Sequence, residues 1–485
     1  MNPMTSPITI DVDAALLGPA HLTSGPVRIS IADGLITAID RLATHPGSGL
    51  FAIPALADAH NHARPLPPTS FGCGGLPLEG WLPKLALMPS VDPYLAAAAA
   101  FSRSLEGGAT SVMVHMVRPM GLDPLADEAR AIARVAHDVG VSVALAIGMR
   151  DRNPLVYGDG AAALAGLAPG ARALARATWL APMASIADQM AGVEIAAAAV
   201  ADMPGHVDVQ YGPTGVQWCS GALLAAVAQA SARTGRRVHM HLLETRPQRE
   251  WADRTYPEGI VARLAAIGLL SPRLTLAHCV WARGDDLALI ADAGAQVAVN
   301  VSSNLHLFSG IAPVPAMLAA GVDVAMGLDG CAFDEDDDGL RELRLFHLLN
   351  HGRAFDGGGL TETGALHAAC AAGRAGLGLG PGGVLAPGMP ADLLLLDLGV
   401  LDRDQVTPVD PRSYLFARAT KASIRQVWSR GRLVLAGGRV LGVDAPALHD
   451  ALRDAYRAAM PGKAALAAIW PDVQRGIAAH YKGCC

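Results

Sequence analysis

Between residues 51 and 329 the chain alternates short apolar runs, rich in Val and Ala, with longer Ala-rich stretches of helical pattern. Eight runs have the length of buried strands: "FAIPALADAH", "TSVMVHM", "VSVALAIGM", "HVDVQYG", "RRVHMHLL", "RLTLAHC", "AQVAVNV" and "VDVAMGLD". A run that is apolar on both of its faces fits a strand covered on both sides, as in a parallel sheet flanked by helices. Eight such units predict a (β/α)8 TIM barrel, an α/β fold whose reactive groups sit at the C-terminal ends of the strands.

The pattern changes at both ends. Residues 1–53 hold alternating pieces such as "VRISIADGLITAID" with a turn signal at Asp33-Gly34, and "ADLLLLDL" and "IRQVWSRGRLVLAGGRVL" have the same character near the other end. The expectation is a small β-sandwich domain built from both chain ends, 1–53 and 385–445, around a barrel of 54–384. Residues 446–485, with "LHDALRDAYRAAM" near their start, predict a helical extension packed outside. After the first strand runs a long Pro/Gly-rich connection, 63–90, that carries Phe71, Leu76, Trp81 and Leu82. Loops of this length in a compact domain are usually functional, and these apolar side chains predict a lid over a pocket.

A chain of 485 residues with 51% hydrophobic and 17% charged content can bury one large core and a smaller one. A net charge of −6 without any Lys/Arg cluster argues against a nucleic-acid groove or a membrane-surface patch and leaves a small-molecule partner. No segment reaches the apolar length of a membrane span, and the start lacks a basic region followed by an apolar one, so a cytoplasmic protein is expected. Seven scattered cysteines without a CxxC pair fit a reducing compartment and offer no thiolate zinc site; Cys484 and Cys485 read as a tail.

The candidate chemistry gathers at predicted strand ends. "DAHNH" gives His60 and His62, "HMHLLET" gives His241 and Glu244, the sixth strand ends in His278 and the eighth in Asp329. Period-2 spacing aims His60 and His62 at one point. One such pair is commonly packed core, but four strand ends that agree predict a metal site of imidazole nitrogens and carboxylate with a position left for water. His239 faces the same way as His241 one layer deeper and reads as support or core.

The set "PALADAHNH", "HMHLLET", "AHCVWA", "SSNLHLFSG" and "GLDG" resembles the amidohydrolase superfamily over roughly residues 10–445, in its branch of single-metal aminohydrolases and chlorohydrolases of triazines, guanine and adenosine-like compounds. The resemblance implies that His60, His62, His241 and Asp329 hold one divalent metal ion, zinc with iron as the alternative. Glu244, His278 and Asp329 then serve the reaction, and the protein is a homo-oligomer, a dimer or larger. Many relatives bridge two metals with a carbamylated lysine on the fourth strand. Here the lysines are Lys84, Lys421, Lys463 and Lys482, none near that strand, so a single metal is expected.

The implied activity is hydrolysis of a carbon-nitrogen bond other than a peptide bond in a cyclic amidine: deamination of a purine, pyrimidine, pterin or triazine by water activated at the metal. Glu244 favours this over dechlorination, since an amine needs a proton to leave and chloride does not. Hydrolysis of an amide, urea or carbon-halogen bond stays open, as does a non-catalytic barrel. Substrate contacts are expected from His115 and Arg118 after the second strand, Gln210 and Trp218 at and after the fourth, and Asn304. Arg118 either binds a substrate carboxylate or carbonyl or pairs with a loop acid. The run "DEDDDG" reads as a solvated loop. Relatives often show His-Pro where this chain has Asn300-Val301, and Thr or Ser where it has Leu328, so their substrates do not transfer automatically.

Overall fold

The computed structural model describes residues 8–330, 335–352 and 358–482. Cys484, Cys485 and Asp334 lie outside them. Eight parallel strands form one sheet in sequential order: Leu56–Asn61, Ala109–Met116, Ser142–Met149, Val207–Pro213, Val238–Leu242, Leu274–His278, Gln296–Val299 and Asp323–Met326. The first and eighth meet at the mouth, where the Asp329 amide donates to the His60 carbonyl at 2.7 Å, so the closing seam of the barrel falls among the candidate metal ligands. The helices between strands start on ordinary caps: Asp92, Ser220 and Thr245 each accept a backbone N–H of the first turn.

A short segment, 368–376, plugs the bottom of the barrel. The Gln210 and Arg237 side chains both donate to the Gly376 carbonyl, and Gln296 donates to that of Ala372. Above this polar layer the interior narrows to small side chains, Ala59, Ala298 and Ala325. Histidines fill the levels above.

The first predicted strand is two strands. Leu50–Pro54 pairs antiparallel with Leu393–Asp397, and only Leu56–Asn61 enters the barrel. The Ala55 amide still donates to the Asp392 carbonyl, whereas the Leu56 amide donates to that of Gly108, so one residue hands the chain from one sheet to the other. Both halves are apolar because both are covered, and periodicity alone cannot mark the handover.

The two chain ends interleave in a seven-stranded sheet, in which Leu393–Asp397 lies between Leu50–Pro54 and Ile424–Ser429. A three-stranded sheet, Ile8–Val12, Val27–Ala32 and Leu35–Arg41, packs on it. Val27, Ile29 and Ile31 alternate inward and share a core with Leu393, Leu395 and Trp428. Asp33 and Gly34 turn the hairpin with φ of 50° and 80°. The buried pair Arg374–Asp392, at 2.6 Å, ties the barrel plug to this domain.

Connection 63–90 forms short turns and a helix, Leu78–Lys84. Trp81, Leu78 and Cys73 are buried with Leu307, which follows the seventh strand. Helix Ala445–Ala459 packs Leu452 and Tyr456 against Leu66 and Val91, and helix Ala464–Lys482 packs Leu466, Trp470 and Val473 against Leu164 and Trp179. No helix among the described residues is long and apolar enough to cross a membrane.

The acidic run departs from the solvated loop expected of it. Asp337 and Asp338 are buried: Asp337 accepts from Arg103 Nε at 2.9 Å, and Asp338 caps helix Gly339–Asn350 while accepting the Lys421 amide at 3.0 Å. Asp336 pairs with Arg341 and Lys421. The run is acidic because two cations distant in sequence, Arg103 and Lys421, converge on it with the neighbouring Arg341.

Candidate active site

His60 is the last residue but one of the first strand, and a period-2 step brings His62 to the same mouth. Their Nε2 atoms lie 3.2 and 3.0 Å from Asp329 Oδ1, and His241 Nε2 lies 3.3 Å from His62 Nε2. His278 Nε2 stands 3.8 Å from Glu244 Oε2 and 3.9 Å from Asp329 Oδ2. The six side chains predicted for metal and chemistry therefore meet in one place.

Their outer nitrogens decide which atoms face inward. His62 Nδ1 donates to the His115 carbonyl and His241 Nδ1 to the Thr214 carbonyl, both at 2.7 Å. A carbonyl only accepts, so Nδ1 carries the proton in both rings and each neutral ring turns an Nε2 lone pair inward. His60 Nδ1 lies 2.8 Å from His239 Nε2, and a His60 that donates there presents the same lone pair. His239 thus supports a ligand from the layer below. His278 Nδ1 lies 2.8 Å from Asn304 Oδ1, which orients that ring.

Lone pairs 3.3 Å apart repel unless a cation lies between them. A proton on His62 relieves one contact; a divalent ion relieves all of them. Nitrogens bound tetrahedrally to zinc sit about 3.3–3.4 Å apart, the separation found here. His60 Nε2, His278 Nε2 and Asp329 Oδ1 are buried without a hydrogen-bond partner, so the donor set fits a metal. The protonation states agree. Burial pushes His60 down to about 3 and takes His241 well below its usual value. For Asp329 burial works upward, but the His60 and His62 contacts hold it well below the carboxylate range.

Three strand ends use left-handed backbone. Leu243, His278 and Asp329 have φ of 49°, 74° and 60°. Such residues cost roughly 1–3 kcal/mol each and cluster where side chains are re-aimed. At Leu243 this turn brings Glu244, three positions past His241, back over the site. Glu244 is buried, its amide donates to Gln248 Oε1 at 2.9 Å, and its Oε1 has no partner. Burial, reinforced by the Asp329 charge, pushes its carboxyl well above the usual range.

Sequence reasoning missed several supports. Asp58 is buried, accepts the His60 and Leu328 amides at 3.2 and 3.0 Å and the Asn61 side chain at 2.7 Å, and so ties the first strand to the eighth. Its period-2 relation to His60 was a usable signal. Ser303 donates to Asp329 Oδ2 at 2.6 Å. Glu79, on the lid helix, accepts from Thr245 and, at 3.0 Å, from Tyr157; no pattern in a loop announces such a contact.

A cavity of about 320 Å³ reaches the site past His62 and His115 and runs under the lid to Tyr456 and Lys463 of the C-terminal helices. Of the predicted substrate contacts, His115 and Arg118 line it. His115 is buried with both ring nitrogens unpartnered, its ring 4.7 Å from that of His241. Gln210, Trp218 and Asn304 are not on its wall. Gln210 is held at the barrel plug, Asn304 holds His278, and Trp218 is buried edge-on to Tyr157 at 5.8 Å. Glu244, His278 and Asp329 also stand behind the wall, so the cavity approaches the reacting groups from the His62 side.

Glu342 anchors the short helix Val301–His306, which carries Ser303 and Asn304, by accepting the Ser302 amide at 3.0 Å. Burial raises it from 4.5 to about 7. The folded protein then binds this proton more tightly than the unfolded chain, so its contribution to stability is greatest below 4.5 and is lost as pH rises to about 7. Glu342→Gln keeps the acceptor and removes the ionisation. Its thermal midpoint is expected to match the wild type near pH 5 and exceed it near pH 8, a gain on the order of 2–3 kcal/mol. A midpoint below the wild type at the higher pH refutes this.

Comparison with known proteins agrees with the geometry. A family model described as "Amidohydrolase family" matches residues 51–434. A 5'-deoxyadenosine deaminase of Methanosarcina barkeri is 34% identical over 256 residues, 53% of this chain and 58% of that protein. A 5-methylthioadenosine/S-adenosylhomocysteine deaminase of Nitratidesulfovibrio vulgaris is 36% identical over 45% of this chain and 50% of its own length. The chain thus spans about half the length of the curated relatives it matches. Among solved structures, a zinc-bound adenosine deaminase of Xanthomonas campestris superposes with a TM-score of 0.77 at 23% identity, covering 94% of this chain and 98% of that one. A zinc complex of atrazine chlorohydrolase from Arthrobacter aurescens gives 0.76 at 22%, covering 92% and 99%. At those identities the likeness is one of fold.

Proposed function

This chain belongs to the amidohydrolase family, and we propose that it is a metal-dependent aminohydrolase that deaminates a nitrogen heterocycle such as a purine, pyrimidine, pterin or triazine. The observation that carries the reading is the pair of inward Nε2 lone pairs of His62 and His241, 3.3 Å apart beside Asp329. The deaminase names of the partial relatives support the reaction type.

In this reading His60, His62, His241 and Asp329 hold one divalent ion; the donors suit zinc or iron, and zinc is favoured by the zinc in a structural neighbour. When bound, such an ion acidifies a water toward a pKa of ~7 and so supplies the nucleophile. His278, with Nδ1 fixed by Asn304, offers its Nε2 lone pair to orient that water. As the water oxygen bonds to the ring carbon, Asp329 takes one of its protons and Glu244 gives its own to the adjacent ring nitrogen. On collapse the carbon-nitrogen bond to the amino group breaks, the Asp329 proton leaves with ammonia, and the hydroxyl proton returns to Glu244. A carboxyl whose hold on its proton is strengthened by burial suits an amine leaving group, which needs a proton to depart.

The test is a panel of purines, pyrimidines, pterins and triazines, amino-, chloro- and alkylamino-substituted, incubated with zinc-loaded protein. Ammonia equal to the loss of ultraviolet absorbance is expected from an amino-substituted member. Release of chloride or alkylamine without ammonia reassigns the leaving group. A protein that binds no metal and turns over nothing removes the reading.

A further inference from the structure

The cavity that leads to His62 is lined by four cationic side chains, Arg64, Arg118, Arg150 and Lys463. Three come from successive strand mouths, just past Asn61, Met116 and Met149, and Lys463 is brought by the turn between the two C-terminal helices. None of the four makes an ion pair among the described residues, whereas about half of the other described cations do. Arg64 lies 4.6 Å above the Trp81 ring, with Nε buried and unpartnered. Glu128 is the one acid on the described wall; its oxygens accept the Met120 and Gly121 amides at 2.8 and 3.4 Å, and of the four cations Arg118 is the one whose charge acts on it. Burial disfavours the charged forms of Arg150 and Lys463, and the neighbouring Arg118 charge adds to both effects.

Four like charges gathered in a half-enclosed space with a single carboxylate among them are costly, and a bound anion reduces the cost by taking charge-assisted, in part bidentate, hydrogen bonds. The cavity touches His62 but not Glu244, His278 or Asp329. It therefore suits the part of a substrate that points away from the reacting carbon, and its volume is in the range of small-molecule sites.

We propose that the substrate carries an anionic group, a carboxylate or a phosphate, on a substituent that extends from the ring into this cavity and is held by Arg118, Arg150 and Lys463. The proposal rests on the deaminase reading for the ring end. It also gives the C-terminal extension a role: the helices that roof the lid complete the binding site.

Two measurements test it separately from that reading. The first compares amino-heterocycles as matched pairs, unsubstituted and bearing a carboxylate or phosphate tail. One anionic member is expected to exceed its neutral partner in kcat/KM by roughly 10- to 100-fold, the size of charge-assisted hydrogen bonds, and the advantage falls as salt rises. In Arg150→Met and Lys463→Met that ratio collapses toward one through a raised KM. Tail identity, carboxylate against phosphate, is read from which pair shows the larger ratio. The second is equilibrium binding of inorganic phosphate and of benzoate to zinc-loaded protein, expected to weaken at least tenfold in both variants whether or not any heterocycle is turned over. Equal use of neutral and anionic partners, with anion binding the same in wild type and variants, overturns the proposal and leaves the deaminase reading standing. Anion binding lost in the variants without turnover of any heterocycle leaves the anion site standing and removes the other.

Discussion

Glu244→Gln is expected to yield folded protein with a full complement of metal and a kcat lower by about 10²–10⁴, the usual contribution of a positioned acid. The variant isolates the proton. Gln has nearly the shape of Glu, the bond from the backbone amide of residue 244 to Gln248 survives, and the side chain is not one of the four proposed ligands. What is lost is a carboxyl that burial and the Asp329 charge push well above the usual carboxylate range, 3.8 Å from His278 Nε2. Metal content by elemental analysis and kcat on the best amino-heterocycle check the prediction. A near-normal kcat would mean that the ring nitrogen is protonated by another group. Metal lost along with activity would move Glu244 into the ligand set.

The second large effect is on the metal. In His241→Ala one inward nitrogen disappears and Asp329, His60 and His62 remain. Changing a group that merely supports a ligand typically costs 10–100-fold in metal affinity, so loss of a ligand itself is expected to cost more than about 100-fold, with activity below detection at equimolar zinc. A stability readout accompanies it. Metal that binds only the folded state raises the unfolding midpoint; a chelator should therefore lower the midpoint of the wild type and leave that of His241→Ala unmoved. A variant that keeps stoichiometric metal and responds to chelator as the wild type does would exclude His241 from the site.

Much of the site was legible because a strand has only two faces. His60 and His62, or His239 and His241, share a face by arithmetic, and a strand end in a barrel of this kind is a mouth position. The same arithmetic fails where the backbone leaves the strand. Even within the fourth strand parity does not say how deep a side chain lies: Gln210, expected at the substrate, is tied to the plug. Asn304 and Trp218 follow strands, yet the first grips His278 and the second is sealed beside Tyr157.

By itself the amino-acid order determined the barrel, the shared terminal domain and the six polar side chains at strand mouths, because apolar periodicity and strand parity are local properties that survive without knowledge of neighbours. Only the folded chain decided that the Nδ1 protons of His62 and His241 go to carbonyls of other strands, that Asp337 is buried against Arg103, and that Lys463 arrives beside Arg118 and Arg150. These are contacts between segments tens to hundreds of residues apart, and their energies depend on burial and on which charge lies opposite, neither of which is encoded in local spacing.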